Sequence, residues 1–204
     1  MSHTVGIRQA QKQKTRQALL DAALGLLEEQ SLSSLGLREV TRAVGVAPTA
    51  FYRHFRDMAD LGVALVEETL GSLHVPIGRA LHKDGDEQRI EQTVALIAEL
   101  VRTSPLHVRF VARERHGGVA PVRAAIAEQL RRFTDEVVQA FADEPESAGW
   151  NEEDLRMLAG VYVDHMMATG YAFLEAGPQG EERVADSARR QLRLISLGRR
   201  HWLD

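Results

Sequence analysis

An all-α fold is predicted by three features of the sequence. Apolar residues recur at spacings of three and four almost throughout. No stretch alternates β-branched residues between turn signals in the way a strand does. Helix-length segments are separated by turn formers, at Ser104-Pro105, Gly117-Gly118, positions 143–149 and positions 177–180. With 204 residues, 44% of them apolar, the chain can bury a real core. The pattern divides it into a three-helix N-terminal head, residues 1–56, and a larger helical domain, residues 57–204.

The first helix carries Leu19, Ala22, Ala23, Leu26 and Leu27 as one stripe, with Thr15 as its expected N-cap and an end near Gln30. A short second helix is expected from Leu37 to about Val44. Glu39 at its third position can reach back to Gly36 in half of a capping box, since glycine offers no side-chain oxygen. Gly45 closes that helix in a left-handed conformation. Pro48 suits the first turn of a third helix, expected to end near Phe55, because its missing N–H costs nothing there. Asp57 and Asp60 mark the start of a fourth, running through Leu61 and Leu65 toward Leu73. Pro76, Gly78 and the polar tract 83–87 then interrupt the pattern. Further helices are expected at about 87–103, 105–115, 119–142, 151–176 and 180–201.

The net charge of −4 hides an asymmetry. Residues 1–56 hold eight Lys and Arg against four Asp and Glu, whereas the rest of the chain holds 17 against 25. A phosphate-binding surface therefore belongs in the first quarter of the chain, and the remainder repels polyanions. Five arginines on the last helix, Arg189, Arg190, Arg193, Arg199 and Arg200, read as a solvated surface rather than a second such site.

The absence of Cys excludes disulfides, thiolate metal sites and a cysteine nucleophile, and it fits a reducing compartment, the cytoplasm being the simplest. The N-terminal stretch has no apolar segment or cleavage site of a secretory signal. The longest uncharged apolar run, Met166–Leu174, is far below the roughly 18 residues of a membrane span. Catalytic and nucleotide motifs such as G-x-S-x-G, H-E-x-x-H and the P-loop are missing, and the eight His show no ligand spacing. Asp164 and His165 are adjacent on a helix and do not face each other as an acid–base pair would. Neither an enzyme, nor a metal site, nor a cofactor is expected.

The stretch from Leu37 to Phe55 reads helix, Gly turn, short helix, the arrangement of a helix-turn-helix whose second helix enters the major groove of double-stranded DNA. On that helix Thr49, Tyr52, Arg53 and Arg56 fall in one sector, while Phe51 and Phe55 point the opposite way. One face anchors and the other reads. Hydroxyl, phenol and guanidinium groups at a helix amino end suit phosphate oxygens and base edges. Ala50 belongs with them as a small apolar contact. His54, on the flank, is read equally well as a packing histidine or a phosphate contact. Lys12, Lys14 and Arg16 form either a basic arm along the duplex backbone or a soluble tail. Arg38 and Arg42 are phosphate clamps or ordinary surface charges.

These residues carry a resemblance. Positions 15–65, and above all the run AVGVAPTAFYRHFRDMADL from Ala43 to Leu61, are similar to the N-terminal domain of the TetR family of repressors. The resemblance implies that Thr49, Tyr52 and His54 contact DNA and that the fourth helix links the DNA head to a ligand domain. Gly36 departs from the hydroxyl residue usual at that cap. Further on, SPLHVRFVARERHGGVAPVRAAI (104–126) and QLRLISLG (191–198) resemble the FabR/DesT branch, regulators of unsaturated fatty acid supply that respond to long-chain acyl thioesters. That implies acyl-CoA as effector.

Read from the residues alone, the second domain leaves two possibilities open. Phe110, Met157, Tyr162, Met166, Met167 and Phe173 either line an apolar ligand tunnel or fill a core. Arg109, Arg113, Arg115 and His116 either converge on acyl-CoA phosphates or are surface charges beside a turn. The helix at 151–176 is apolar on more than one face. The last helix repeats Val184, Ala188, Leu192, Ile195 and Trp202 along one side. These two helices are the expected four-helix interface of a homodimer, which would face a pseudo-palindromic operator.

Overall fold

The computed structural model describes residues 2–83 and 85–202, so Asp84 of the polar tract, Met1 and the last two residues lie outside it. Nine α-helices and no strand occur among the described residues: α1 (Ser2–Leu26), α2 (Leu37–Val44), α3 (Pro48–Phe51), α4 (Met58–Thr69), α5 (His74–Leu81), α6 (Asp86–Thr103), α7 (Pro105–Glu114), α8 (Ala120–Ala142) and α9 (Glu152–His201). None is long and apolar enough to cross a membrane.

Thr15 is not a cap. Its hydroxyl donates to the Gln11 carbonyl one turn back, at 3.1 Å, inside a helix that begins far earlier. The residues just before Thr15, Gln9 to Lys14, are good helix formers with no breaker among them. The buried stripe is also turned slightly from the expected one: Leu19, Leu20, Ala23, Leu24 and Leu27 are in the core, with Ala22 and Leu26 at its edge.

The ends of α2 and α4 follow their sequence signals. Gly36 N–H donates to Glu39 Oε2 at 2.8 Å, and Gly45 at φ 75° closes α2. Asp57 accepts the Asp60 N–H at 2.8 Å, while Asp60 accepts the Arg56 N–H at 3.0 Å and the Arg56 guanidinium at 2.8 Å. That guanidinium and backbone N–H hold the Asp60 carboxyl below the usual carboxylate range.

Two expectations change after Thr69. A 3-10 turn, Gly71–Leu73, ends α4 early, and α5 occupies the segment read as an interruption. Pro76 lies in the first turn of α5, where no intrahelical N–H bond is lost.

The last helix is a folded rod. At Gly177 the backbone takes φ 61° and ψ −172°, a conformation open only to glycine, and Pro178 starts the second limb. The limbs, 152–176 and 178–201, run antiparallel, because Trp150 donates to the Arg199 carbonyl at 3.2 Å and its ring stacks on Trp202.

The second limb lies along α6, where four of the five arginines read as solvated, Arg189, Arg193, Arg199 and Arg200, pair with carboxylates, while Arg190 is exposed. Arg189 meets Glu91 at 2.7 Å, Arg193 meets Glu87, and Arg199, 2% exposed, bonds Asp86 at 3.2 Å and Glu144 at 2.7 Å. Arg89 joins the same two carboxylates, and both guanidiniums lie over Phe141. The cluster ties the start of α6 and the loop after α8 to the end of α9, an arrangement no local pattern announces.

Candidate functional site

The head presents an exposed turn at α3. Regular α3 geometry ends at Phe51 rather than Phe55, but the His54 N–H still reaches the Phe51 carbonyl at 2.9 Å and the Phe55 N–H reaches it at 3.0 Å, so the turn continues. Phe51 and Phe55 are buried, fixing the turn to α1 and α2. Thr49, Tyr52, Arg53 and Arg56 are exposed, and Ala50 is half-buried beside them. Gly45 and the Pro48 start turn the chain from α2 into α3, and the Val46 and Gly45 N–H groups satisfy the Thr41 and Arg42 carbonyls at 3.0 and 3.1 Å.

A polar groove separates this turn from α1. Gln9, Lys12, Gln13, Arg16, Arg53 and His54 line it. Arg16 sits over the Phe55 ring at 5.1 Å, which directs a half-buried guanidinium along the groove. Burial first, and then the charges of Lys12, Arg16 and Arg53, push the His54 imidazole below its ordinary pKa. Its Nδ1 is buried without a partner. Among the described residues no carboxylate lines the groove, so its chemistry is that of an oxyanion receptor. Lys14 and Arg38 are exposed on α1 and α2.

The larger domain contains an apolar cavity of about 110 Å³. Leu70 and Leu73, Ile77 and Leu81 of α5, Ile97 and Leu100 of α6, Val108 and Val111 of α7, Phe133 of α8, and Tyr162 and Met166 of α9 form much of its wall. The space is several times that needed by one water, yet apolar walls give water no partners. The wall's polar groups are already used. Thr69 donates to the Leu65 carbonyl at 2.8 Å, and Thr93 and Tyr162 bond each other at 3.1 Å. Burial pushes the Tyr162 phenol above its ordinary pKa.

The other ligand candidates lie elsewhere. Phe110 and Phe173 are buried in the core but not on the cavity wall. Arg113 donates to backbone carbonyls at the end of α1, Arg115 pairs with Asp164 at 2.7 Å, and His116 is exposed. Leu70, Leu73, Ile77 and Leu81 were missed because their segment carries Pro76 and Gly78. A three-and-four spacing from Leu70 through Leu81 was the available signal.

On the hairpin, the stripe Ala188–Leu192–Ile195 faces inward, with Leu192 wholly buried. The exposed apolar residues are Met157, Val161 and Tyr171 on one limb and Leu194 and Leu197 on the other. The limbs run antiparallel, so Met157 and Val161 lie level along the hairpin with Leu197 and Leu194.

Residues 19–65 match the profile of the bacterial regulatory proteins, tetR family. The fold is similar to that of the transcriptional regulator FadR from Bacillus subtilis in complex with stearoyl-CoA, at 15% identity and a TM-score of 0.73, over 89% of this chain and 98% of that one. It is similar to AibR in complex with isovaleryl coenzyme A and operator DNA, at 17% identity and a TM-score of 0.67, over 86% and 96%. The regulatory protein TetR from Rhodobacter sphaeroides is matched at 22% identity and a TM-score of 0.64, over 85% and 96%. The family profile thus lies on the helix-turn-helix, and the helical fold around it is the one these three regulators share.

Proposed function

We propose that this protein is a homodimeric cytoplasmic repressor that binds a pseudo-palindromic operator and is controlled by long-chain acyl-CoA, regulating unsaturated fatty acid synthesis. Residues 1–56 form the DNA head and 57–204 the effector and dimerisation domain. Thr49, Ala50, Tyr52 and Arg53 read the major groove, and Lys14, Arg16, Arg38 and His54 hold the phosphate backbone.

The observation that carries the effector assignment is a cavity whose wall holds no charged side chain and whose buried hydroxyls, those of Thr69, Thr93 and Tyr162, are all hydrogen-bonded. Such a space accepts hydrocarbon and penalises any buried polar atom. Each acyl methylene it takes up contributes about 0.8 kcal/mol. That two proteins of similar fold hold acyl-CoA molecules supports the choice of thioester. The cavity takes the acyl chain only, because Arg113 and Arg115 are engaged elsewhere and His116 does not line it.

The exposed apolar residues of the α9 hairpin support pairing of two copies there. Two-fold symmetry would then set the reading turns about 34 Å apart, one turn of duplex.

Native mass spectrometry of protein purified from its host tests the effector directly, with an acyl-CoA adduct expected. A co-purified drug-like or other apolar molecule would replace acyl-CoA. Gel shifts with oleoyl-CoA and palmitoyl-CoA test the link to unsaturation, and equal effects of the two would remove it.

A further inference from the structure

α7 joins the cavity to the DNA head without passing through α4. Val108, Val111 and Ala112 form part of the cavity wall. Another face of the helix lies against α1. Its last turn grips the connection between α1 and α2. There the Arg113 guanidinium donates to the Leu27 and Gln30 carbonyls at 2.8 Å each and to the Glu28 carbonyl at 3.3 Å. These carbonyls end α1, where intrahelical partners run out and the helix dipole is negative.

The next residue completes the grip. Glu114, 1% exposed, accepts the Leu32 N–H at 3.0 Å, and its second oxygen has no partner. Leu32 in turn covers Gly62 of α4, where an added Cβ would come within 2.7 Å of Val122 and closer still to Leu32. At the start of α7, His107 lies 3.6 Å from Glu68, which also accepts from Gln17 of α1 at 2.9 Å. At this end the link runs through α4, and only the last turn of α7 holds the end of α1 directly.

We infer that Arg113 and Glu114 are positioning residues that carry cavity occupancy to the head: a ligand that displaces α7 drags the α1–α2 connection and re-aims α1, whose far end bears Lys12, Lys14 and Arg16. The physical reason is rigidity. Glu114 is buried, so breaking its bond leaves a carboxylate and the Leu32 N–H unpaired away from water, and the Arg113 fork adds contacts to three carbonyls at the same point, so α7 cannot slide free cheaply. The inference rests on the cavity being the effector site, but not on acyl-CoA being the effector.

The test is a cycle in the full-length protein. Ala112→Phe pushes bulk into the cavity from α7, and Arg113→Met removes the fork; hydrogen exchange is followed at amides 27–44. Ala112→Phe alone is expected to change exchange there at least threefold, and less than 1.5-fold when Arg113→Met is present, on the order of a coupled pair. Should Ala112→Phe fail to fold, Ala112→Val serves with a smaller expected change. Glu114→Leu should uncouple likewise, while Glu114→Gln, which keeps an acceptor for Leu32, should not. Equal changes in both backgrounds, or no change at 27–44 from the filled cavity, would overturn the inference. In parallel, oleoyl-CoA is titrated with the wild type and Arg113→Met. Unchanged affinity for it, with its effect on duplex binding lost in the variant, supports the route. Failure of oleoyl-CoA to bind the wild type counts against the proposed effector and leaves the exchange cycle to decide the route.

Discussion

The rings of Phe51 and Tyr52 meet edge to face at 5.8 Å, and the protein surface passes between them. Phe51 is wholly buried, whereas Tyr52 is 64% exposed. One residue step, 100° around the helix axis, thus separates what holds the head together from what it offers to a partner. Tyr52→Ala or Thr49→Ala should weaken operator binding by roughly tenfold and leave Tm unchanged within about 2 °C. Phe51→Ala should cost about 3–5 kcal/mol of stability instead. Anisotropy titrations and thermal melts on the same samples separate the two effects, and a melt shifted strongly by Tyr52→Ala would contradict the division.

Exposed cations on α1 act through phosphate charge. Lys14→Gln should therefore weaken binding to all duplexes alike and flatten the dependence of log K on log salt by about one. A salt titration on operator and unrelated DNA measures both. Sequence-selective loss would point to base contact instead.

His54 links the head to pH. Its folded pKa lies below the ordinary imidazole value of about 6.5, because burial and three cations oppose its charge. The folded state therefore resists a proton that the unfolded chain accepts. Stability is full above about pH 6.5 and declines as pH falls below it, until the lower folded value is passed. Urea midpoints measured down a pH series should show this decline in the wild type and less of it in His54→Gln. Parallel curves would mean that His54 is not responsible.

On the α9 hairpin, neighbouring leucines have opposite duties. Leu192 is buried within the chain, whereas Leu194 is 70% exposed. Leu194→Asp should yield monomers by light scattering with little loss of monomer stability, and Leu192→Ala should destabilise the fold by about 2–5 kcal/mol. A fully dimeric Leu194→Asp would move the interface elsewhere.

Gly177 sets the hairpin. An alanine there cannot adopt φ 61° with ψ −172° without strain, so Gly177→Ala should cost about 1–3 kcal/mol. Chemical denaturation measures the loss, and an unchanged midpoint would show that the corner has another way to close.

The head was legible in sequence because its signals are local. Gly45, Pro48, Asp57 and Asp60 each impose one backbone conformation or satisfy one backbone group within four residues, and the faces of a short helix follow from its 100° step alone. The helices of the larger domain were legible to within a few residues for the same reason, apart from α5, where proline in a first turn looked like a break. The basic residues that line the polar groove belong to the quarter of the chain that the charge asymmetry singles out.

Tertiary packing alone decided the rest. Which apolar residues fill the core and which line a cavity depends on the space left between helices far apart in sequence, so Tyr162 and Phe173 cannot be told apart by residue type. Whether an arginine is solvated, paired or spent on carbonyls depends on what the fold brings against it, as Arg113 on α1 and Arg199 beside Asp86 show. Periodicity assigns a residue to a face of its own helix, but only the packing of one helix on another determines what that face meets.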